Sequence, residues 1–219
     1  MNKPKEILIS SSKLKIREPE VILNAPVAIL LHGWTGDESS MWVFGNKLEN
    51  KWLIIAPRAP FPTIDQDLGG YSWVDQSIKQ WPTHQDFFPA VDYLSNQINT
   101  LTEKYPYANF SKINLIGFSQ GAAMGFVFAG AKTLSIKKLV LLSGFLPEGH
   151  EGYVNPDQFR SVELFIGHGR LDEVVPVSKA NEVKTRFDGS CETLVYCVSE
   201  VGHRLGSDCF NAFKKFMND

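Results

Sequence analysis

The stretch from Ile113 to Ala129 constrains this chain more than any other. It begins with the apolar run Ile113 to Ile116. It then turns through Gly117-Phe118-Ser119-Gln120-Gly121 and continues as Ala122-Ala123-Met124-Gly125-Phe126-Val127-Phe128-Ala129, which reads as a helix. A strand, a G-x-S-x-G turn and a helix in direct succession form a sharp elbow. The turn holds its serine in a strained backbone conformation, so a side chain at either flanking position would crowd the neighbouring strand or the helix, and glycine is needed there. The hydroxyl of Ser119 is lifted clear of the sheet. The following amide, that of Gln120, stands at a helix start, where developing negative charge is favoured.

The rest of the chain supplies a sheet for this elbow. Ile7-Leu8-Ile9, Leu14-Lys15-Ile16 and Val21-Ile22-Leu23 are short runs expected to be edge strands. Val27–Leu31 and Trp52–Ala56 are continuously apolar, as strands covered on both faces are. A helix is expected over 41–49, burying Met41, Trp42 and Leu48. Another spans 86–104, with Phe87, Val91, Leu94, Ile98 and Leu101 at helical spacing. Strands at Leu139–Leu142, Leu164–Ile166 and Thr193–Val198 alternate with a loop at 145–160 and helices at 177–187 and 206–217. The last of these offers Phe210, Phe213 and Phe216 to the core. Strands alternating with helices predict an α/β fold with a mainly parallel central sheet, helices on both faces and no large cap, formed by one domain over 1–219. Residues 57–85 carry four prolines, the Gly69-Gly70 pair and the aromatics Phe61, Tyr71, Trp73 and Trp81 without a clean period. They read as an ordered excursion near the ligand site.

In such sheets ligands collect outside the carboxyl ends of the strands. A serine hydroxyl there needs a base within hydrogen-bond reach, and the base needs a carboxylate to fix its tautomer. His203, between the last strand and the last helix, is the candidate base. Asp172, just past the Leu164–Ile166 strand, is the candidate carboxylate, with Glu173 and Asp208 as rivals. The chain order Ser, Asp, His is the one expected with such an elbow. The oxyanion donors are expected to be the amides of Gln120 and, from the loop after Leu31, Trp34. The Trp34 side chain is open to packing or to lining a pocket, for which Trp73, Tyr71, Phe61 and Val175 are further candidates. His32 and His168 are expected to shape their loops by hydrogen bonding. His84 is expected to line the site or face solvent, and His150 to be exposed.

A formal charge of -2, with basic residues spread among acids, argues against nucleic acid as a partner. The charged start Met1–Glu6 and the short Ile7–Ile9 run predict neither a signal peptide nor stable membrane insertion. Three cysteines, with Cys191 and Cys197 too far apart on one extended segment to bridge, are expected to be free thiols in the cytoplasm. No H-E-x-x-H, C-x-x-C or phosphate-loop motif occurs, so no metal or cofactor is expected. Gly167-His168-Gly169 begins like a dinucleotide fingerprint, but Asp172 stands where its third glycine belongs.

Leu31-His32-Gly33-Trp34-Thr35-Gly36-Asp37, Gly69-Gly70-Tyr71-Ser72-Trp73-Val74-Asp75, Gly117–Gly121, His168-Gly169-Arg170-Leu171-Asp172-Glu173-Val174-Val175-Pro176 and Gly202-His203 fall in an order that resembles the phospholipase/carboxylesterase family of α/β-hydrolases, which includes the acyl-protein thioesterases. The resemblance implies a nearly lidless α/β-hydrolase that cleaves esters or thioesters without a metal. The chain is expected to act on small molecules as a monomer or homodimer. This chain has Gly33-Trp34-Thr35-Gly36-Asp37 where the family has Gly-hydrophobic-Gly-Asp, and Trp73-Val74-Asp75 where Trp-Phe-Asp is common. Both departures favour a carboxylesterase over a long-chain thioesterase or lysophospholipase. A peptidase on the same fold would need a propeller or cap domain restricting access, and none is expected from these 219 residues. A non-catalytic binding protein would not need all of Ser119, Asp172 and His203.

Overall fold

The computed structural model describes residues 2–9, 11–64, 67, 69–75, 81–131 and 134–219. In chain order the elements are β1 (Lys5–Ile9), β2 (Ser12–Arg17), β3 (Ala25–Leu31), α1 (Trp42–Gly45), β4 (Leu53–Pro57), β5 (Phe61–Pro62), β6 (Tyr71–Ser72), α2 (Phe88–Lys104), β7 (Ala108–Phe118), α3 (Gln120–Gly130), β8 (Ile136–Leu142), α4 (His150–Tyr153), β9 (Glu163–Gly169), α5 (Val177–Phe187), β10 (Thr193–Ser199) and α6 (Ser207–Asn218). Eight strands form one sheet in the order β1-β2-β4-β3-β7-β8-β9-β10. β1 and β2 enter antiparallel, and from β4 onward every neighbouring pair is parallel.

The apolar runs of the central strands divide between two core layers with the period of two that a pleated strand imposes. Val27, Ile29 and Leu31 of β3 face α2, α3 and α5. Ala28 and Leu30 face α1 and α6. The same split sends Leu139 and Leu141 of β8 to one side and Val140 and Leu142 to the other. α3 is buried nearly throughout and amphipathic on no face, as expected of a helix seated over the middle of a sheet. Of the five residues at helical spacing, Val91, Leu94, Ile98 and Leu101 on α2 and Phe87 just before it are all buried. The turn that leads into α2, His84–Phe87, starts with a capping box, in which Asp86 accepts from the Thr83 amide and hydroxyl at 2.7 and 2.8 Å.

Several expectations need correction. Val21–Leu23 is not a strand: the three side chains are 58–86% exposed and the run pairs with no strand among the described residues. The helix expected over 41–49 shrinks to four residues. The buried Arg17 guanidinium takes up the carbonyls of Gly45, Leu48 and Glu49, so the chain opens into turns. The loop at 145–160 contains α4, and His150 is buried there rather than exposed, with Nδ1 2.8 Å from the Pro147 carbonyl and its ring against Phe126. The excursion at 57–85 includes 65, 66, 68 and 76–80, which lie outside the described residues. Its remainder forms the β5–β6 hairpin and docks on the loop after β3.

The three cysteines are not all free. Cys197 on β10 is disulfide-bonded to Cys209 on α6, because α6 folds back across the sheet and brings their Cα atoms to 5.5 Å. Sequence spacing gives no hint of this return, and a chain with this bond does not carry the three free thiols expected of a reducing compartment. Cys191 is free and half-buried, and burial pushes its thiol up to about 11. No helix among the described residues is long and apolar enough to cross a membrane.

Candidate active site

Ser119 caps α3 with φ 53° and ψ -120°, a conformation that L-residues adopt only under constraint. The constraint is the packing that its glycines permit. A Cβ on Gly117 would lie 2.3 Å from the Gly121 carbonyl oxygen. One on Gly121 would lie 2.2 Å from that of Leu31 and 2.4 Å from that of His32. The elbow therefore sits directly on the backbone at the end of β3. The Ser119 amide is held by the Leu142 carbonyl at 2.8 Å.

Asp172 and His203 come together from the ends of β9 and β10. His203 Nδ1 lies 2.7 Å from Asp172 Oδ2, and the imidazole packs on Phe118, beside Ser119, with ring centroids 4.9 Å apart. The Asp172 side chain is wholly buried, and its Oδ1 accepts from the amides of Val174 and Val175 at 2.9 and 2.8 Å. Its register against His203 depends on Gly169. A Cβ there would fall 2.1 Å from the Gly202 carbonyl oxygen, so only glycine lets the two loops close, laced by Arg170 N to Ser199 O at 2.8 Å and Leu171 N to Val201 O at 3.0 Å. The glycine pair that looked like half a fingerprint thus has a packing reason. The rivals fare differently. Asp208 accepts from Ser199 Oγ, and Glu173 is exposed. The Ser119 hydroxyl makes no hydrogen bond among the described residues.

His32 and His168 bond to their loops. The His32 Nδ1–H donates to the Gly33 carbonyl at 2.7 Å, and its Nε2 accepts from the Ala59 amide at 3.1 Å. Accepting at Nε2 while donating from Nδ1 requires the neutral ring. Burial lowers its pKa from the ordinary histidine value. His168 is likewise lowered by burial, and donates from Nε2 to the Val175 carbonyl at 2.8 Å. His84 stacks on Tyr153 with Nδ1 3.1 Å from the Glu148 carbonyl, beside α4.

A cavity of about 390 Å³ opens at Ser119, walled by Trp34, Trp81, Pro82, Phe145, Val174 and Val175, with Gln120 at its base. Of the four aromatic and aliphatic residues expected to line a pocket, Val175 does so. Trp73 does not: it is fully buried, donating from Nε1 to the His32 carbonyl at 2.7 Å and packed against the His32 ring. Tyr71 lies under the Arg58 guanidinium, whose fork grips the buried Glu38 at 2.7 and 2.8 Å, and neither Tyr71 nor Phe61 reaches the cavity wall. Trp34, 49% exposed, stands on the rim.

One contribution has no signal in the sequence beyond its neighbour. The Gln120 carboxamide accepts from the Trp73 amide at 2.9 Å and donates to Ser72 Oγ at 3.1 Å, tying the excursion to the first turn of α3. The opposite tie, Tyr71 N to Gly36 O at 2.9 Å and Thr35 N to Tyr71 O at 3.1 Å, brings Gly70 so near that a Cβ would sit 1.9 Å from the Thr35 carbonyl oxygen.

A mostly parallel sheet with this order, and a strained serine between its central strand and the helix that follows, define an α/β-hydrolase. The comparisons agree: a carboxylesterase from Bacillus cereus superposes with TM-score 0.78 over 94% of each chain at 16% identity. One from Mesorhizobium loti gives 0.77 over 97% of this chain and 98% of its own at 14% identity, likenesses that bear on the fold. Residues 14–219 match the family described as Phospholipase/Carboxylesterase, and the chain belongs to it. Among curated proteins, acyl-protein thioesterase 1 of Saccharomyces cerevisiae is 29% identical over 191 residues, 77% of this chain and 79% of that protein.

Proposed function

We propose that the chain is a serine carboxylesterase that works through an acyl-enzyme. The observation that carries this reading is the buried Asp172–His203 pair at 2.7 Å, packed beside the strained Ser119 at the mouth of an apolar cavity. Asp172 accepts from Nδ1–H of His203 and so leaves Nε2 free to take a proton. His203 takes the Ser119 proton as Oγ bonds to the ester carbonyl carbon. The Gln120 and Trp34 amides donate to the oxyanion. The C–O bond to the alcohol then breaks, and the alcohol leaves with the proton from His203. Water, deprotonated by His203, attacks the acyl carbon and releases the acid and Ser119.

The relative from Saccharomyces cerevisiae gives the second reading, acyl-thioester cleavage, a direct motive. Trp34, Trp81 and Phe145 crowding the cavity favour small acyl groups, and thereby the ester reading.

The test is Ser119→Ala on a p-nitrophenyl ester series. Turnover should fall by about 10⁴–10⁶-fold, and retention of more than about one hundredth would overturn the assignment of the nucleophile. In the wild type, fastest hydrolysis at two to four acyl carbons supports the small-ester reading, and a maximum at eight or more would transfer the proposal to long-chain substrates.

A further inference from the structure

Trp34 is a wall shared by two cavities. On the side away from Val175 a second groove, of about 480 Å³, runs over α1 and α6. Its floor and sides are Met41, Phe44, Phe118, Leu205 and Phe210, with the exposed Val43 as an outer ridge. Arg204 stands on its edge. An open depression along Arg204, Leu205 and Phe210 extends it toward Ser207 and Asn211.

Two features relate this groove to the chemistry at Ser119. Phe118, which lines it, is the residue before Ser119 and carries the His203 imidazole on its ring. Arg204 and Leu205, which also line it, directly follow His203. A base must stand beside the oxygen it protonates, so a departing alcohol exits on the side of His203. The cavity walled by Val174, Val175, Trp81 and Phe145 lies on the Gln120 side and is left for the acyl group. The groove is apolar, apart from its polar rim and one cation. Arg204 is exposed and has no ion-pair partner among the described residues, whereas the nearby Arg170 is paired with Glu200.

We infer that this groove is the leaving-group subsite, and that it takes an alcohol with an apolar body and an anionic end, which Arg204 reads. The substrate straddles Trp34, acyl part on one side and alcohol on the other. The inference rests on the hydrolase reading given above. The alcohol is present only during acylation, so its recognition belongs to kcat/KM.

The test compares butyrate esters of 3-phenylpropanol and of 4-(3-hydroxypropyl)benzoate, which differ by one carboxylate. The ratio of their kcat/KM values within one protein cancels effects on folding or on the shared chemistry. The wild type should favour the carboxylate ester by about fivefold, a preference that shrinks as salt is raised. Arg204→Gln should bring the ratio to about one, and Arg204→Glu should reverse it. Val43→Trp, which fills the groove, should lower 3-phenylpropyl butyrate relative to ethyl butyrate by about tenfold. A wild-type ratio near one, or a preference that survives in Arg204→Gln, overturns the anionic reading. An unchanged ratio in Val43→Trp overturns the subsite while leaving the hydrolase reading intact. A folded wild type that cleaves no ester overturns both.

Discussion

Removing the Gln120 carboxamide should loosen the excursion while leaving the Gln120 main-chain amide in place. In Gln120→Ala the buried Trp73 N–H loses its acceptor at 2.9 Å and Ser72 Oγ loses a donor at 3.1 Å. A buried donor left unpaired costs about 1–3 kcal/mol. Ser72 itself keeps its bonds to Val74 and does not add a second full penalty. For a chain of this size that corresponds to a fall in Tm of about 2–4 °C for each kcal/mol. Gln120→Glu separates acceptor from donor. A carboxylate still accepts from Trp73, but it turns a second oxygen toward Ser72 Oγ, whose single proton is held mainly by the Val74 carbonyl at 2.7 Å, the oxygen of residue 120 being the more distant acceptor at 3.2 Å. It should therefore destabilise as well, and recover toward wild type as pH falls and the carboxyl protonates. The assay is urea unfolding of the three proteins at pH 7.5 and 5.0, each compared with the wild type at the same pH. A cost below about 0.5 kcal/mol for Gln120→Ala, or a Glu variant whose deficit does not shrink at pH 5.0, would refute the claim that this side chain clamps the excursion.

Two further outcomes are expected. His32 and His168 have folded pKa values depressed below the unfolded value of about 6.5, so the unfolded chain binds more protons just below that pH. Stability is full above about pH 6.5, and the urea midpoint should fall as pH drops from 7.5 toward 5.5; a flat midpoint would contradict the burial argument. Reducing the Cys197–Cys209 bond, or changing both residues to Ser, opens a loop with a sequence separation of 12 that contains His203. The cost should be about 2–4 kcal/mol in unfolding free energy, with a matching loss of esterase activity if the loop drifts from Asp172. An oxidised protein whose thiols all react with a maleimide under denaturing conditions would disprove the bond.

The sheet was legible in the sequence because buried parallel strands write themselves as unbroken apolar runs, and α2 because its apolar residues recur at helical spacing. The elbow was legible because two glycines flank a serine at positions that tolerate nothing else. That Asp172 and His203 would meet could be read from their places, since each follows the end of a strand, β9 and β10, that lie side by side. What escaped the sequence depends on long-range return of the chain. Cys209 meets Cys197 only because α6 crosses back over β10. His150 is buried only because α4 folds onto Phe126. Trp73 looks like a pocket aromatic in a loop and proves to be core, because its indole N–H finds the His32 carbonyl. Val21–Leu23 carries a strand composition but pairs with no strand among the described residues.

The seam between Gly121 and the backbone of Leu31 and His32 leaves room for no side chain, so the elbow offers almost nothing to mutation. The cavity walls are another matter. Trp34, Trp81, Phe145 and Val174 come from four separate connections, and none of them holds the elbow. In a lineage built on this plan, the elbow is inherited as a fixed block, while the walls around it can be exchanged, Trp81 and Phe145, whose rings meet edge to face at 4.7 Å, as a pair.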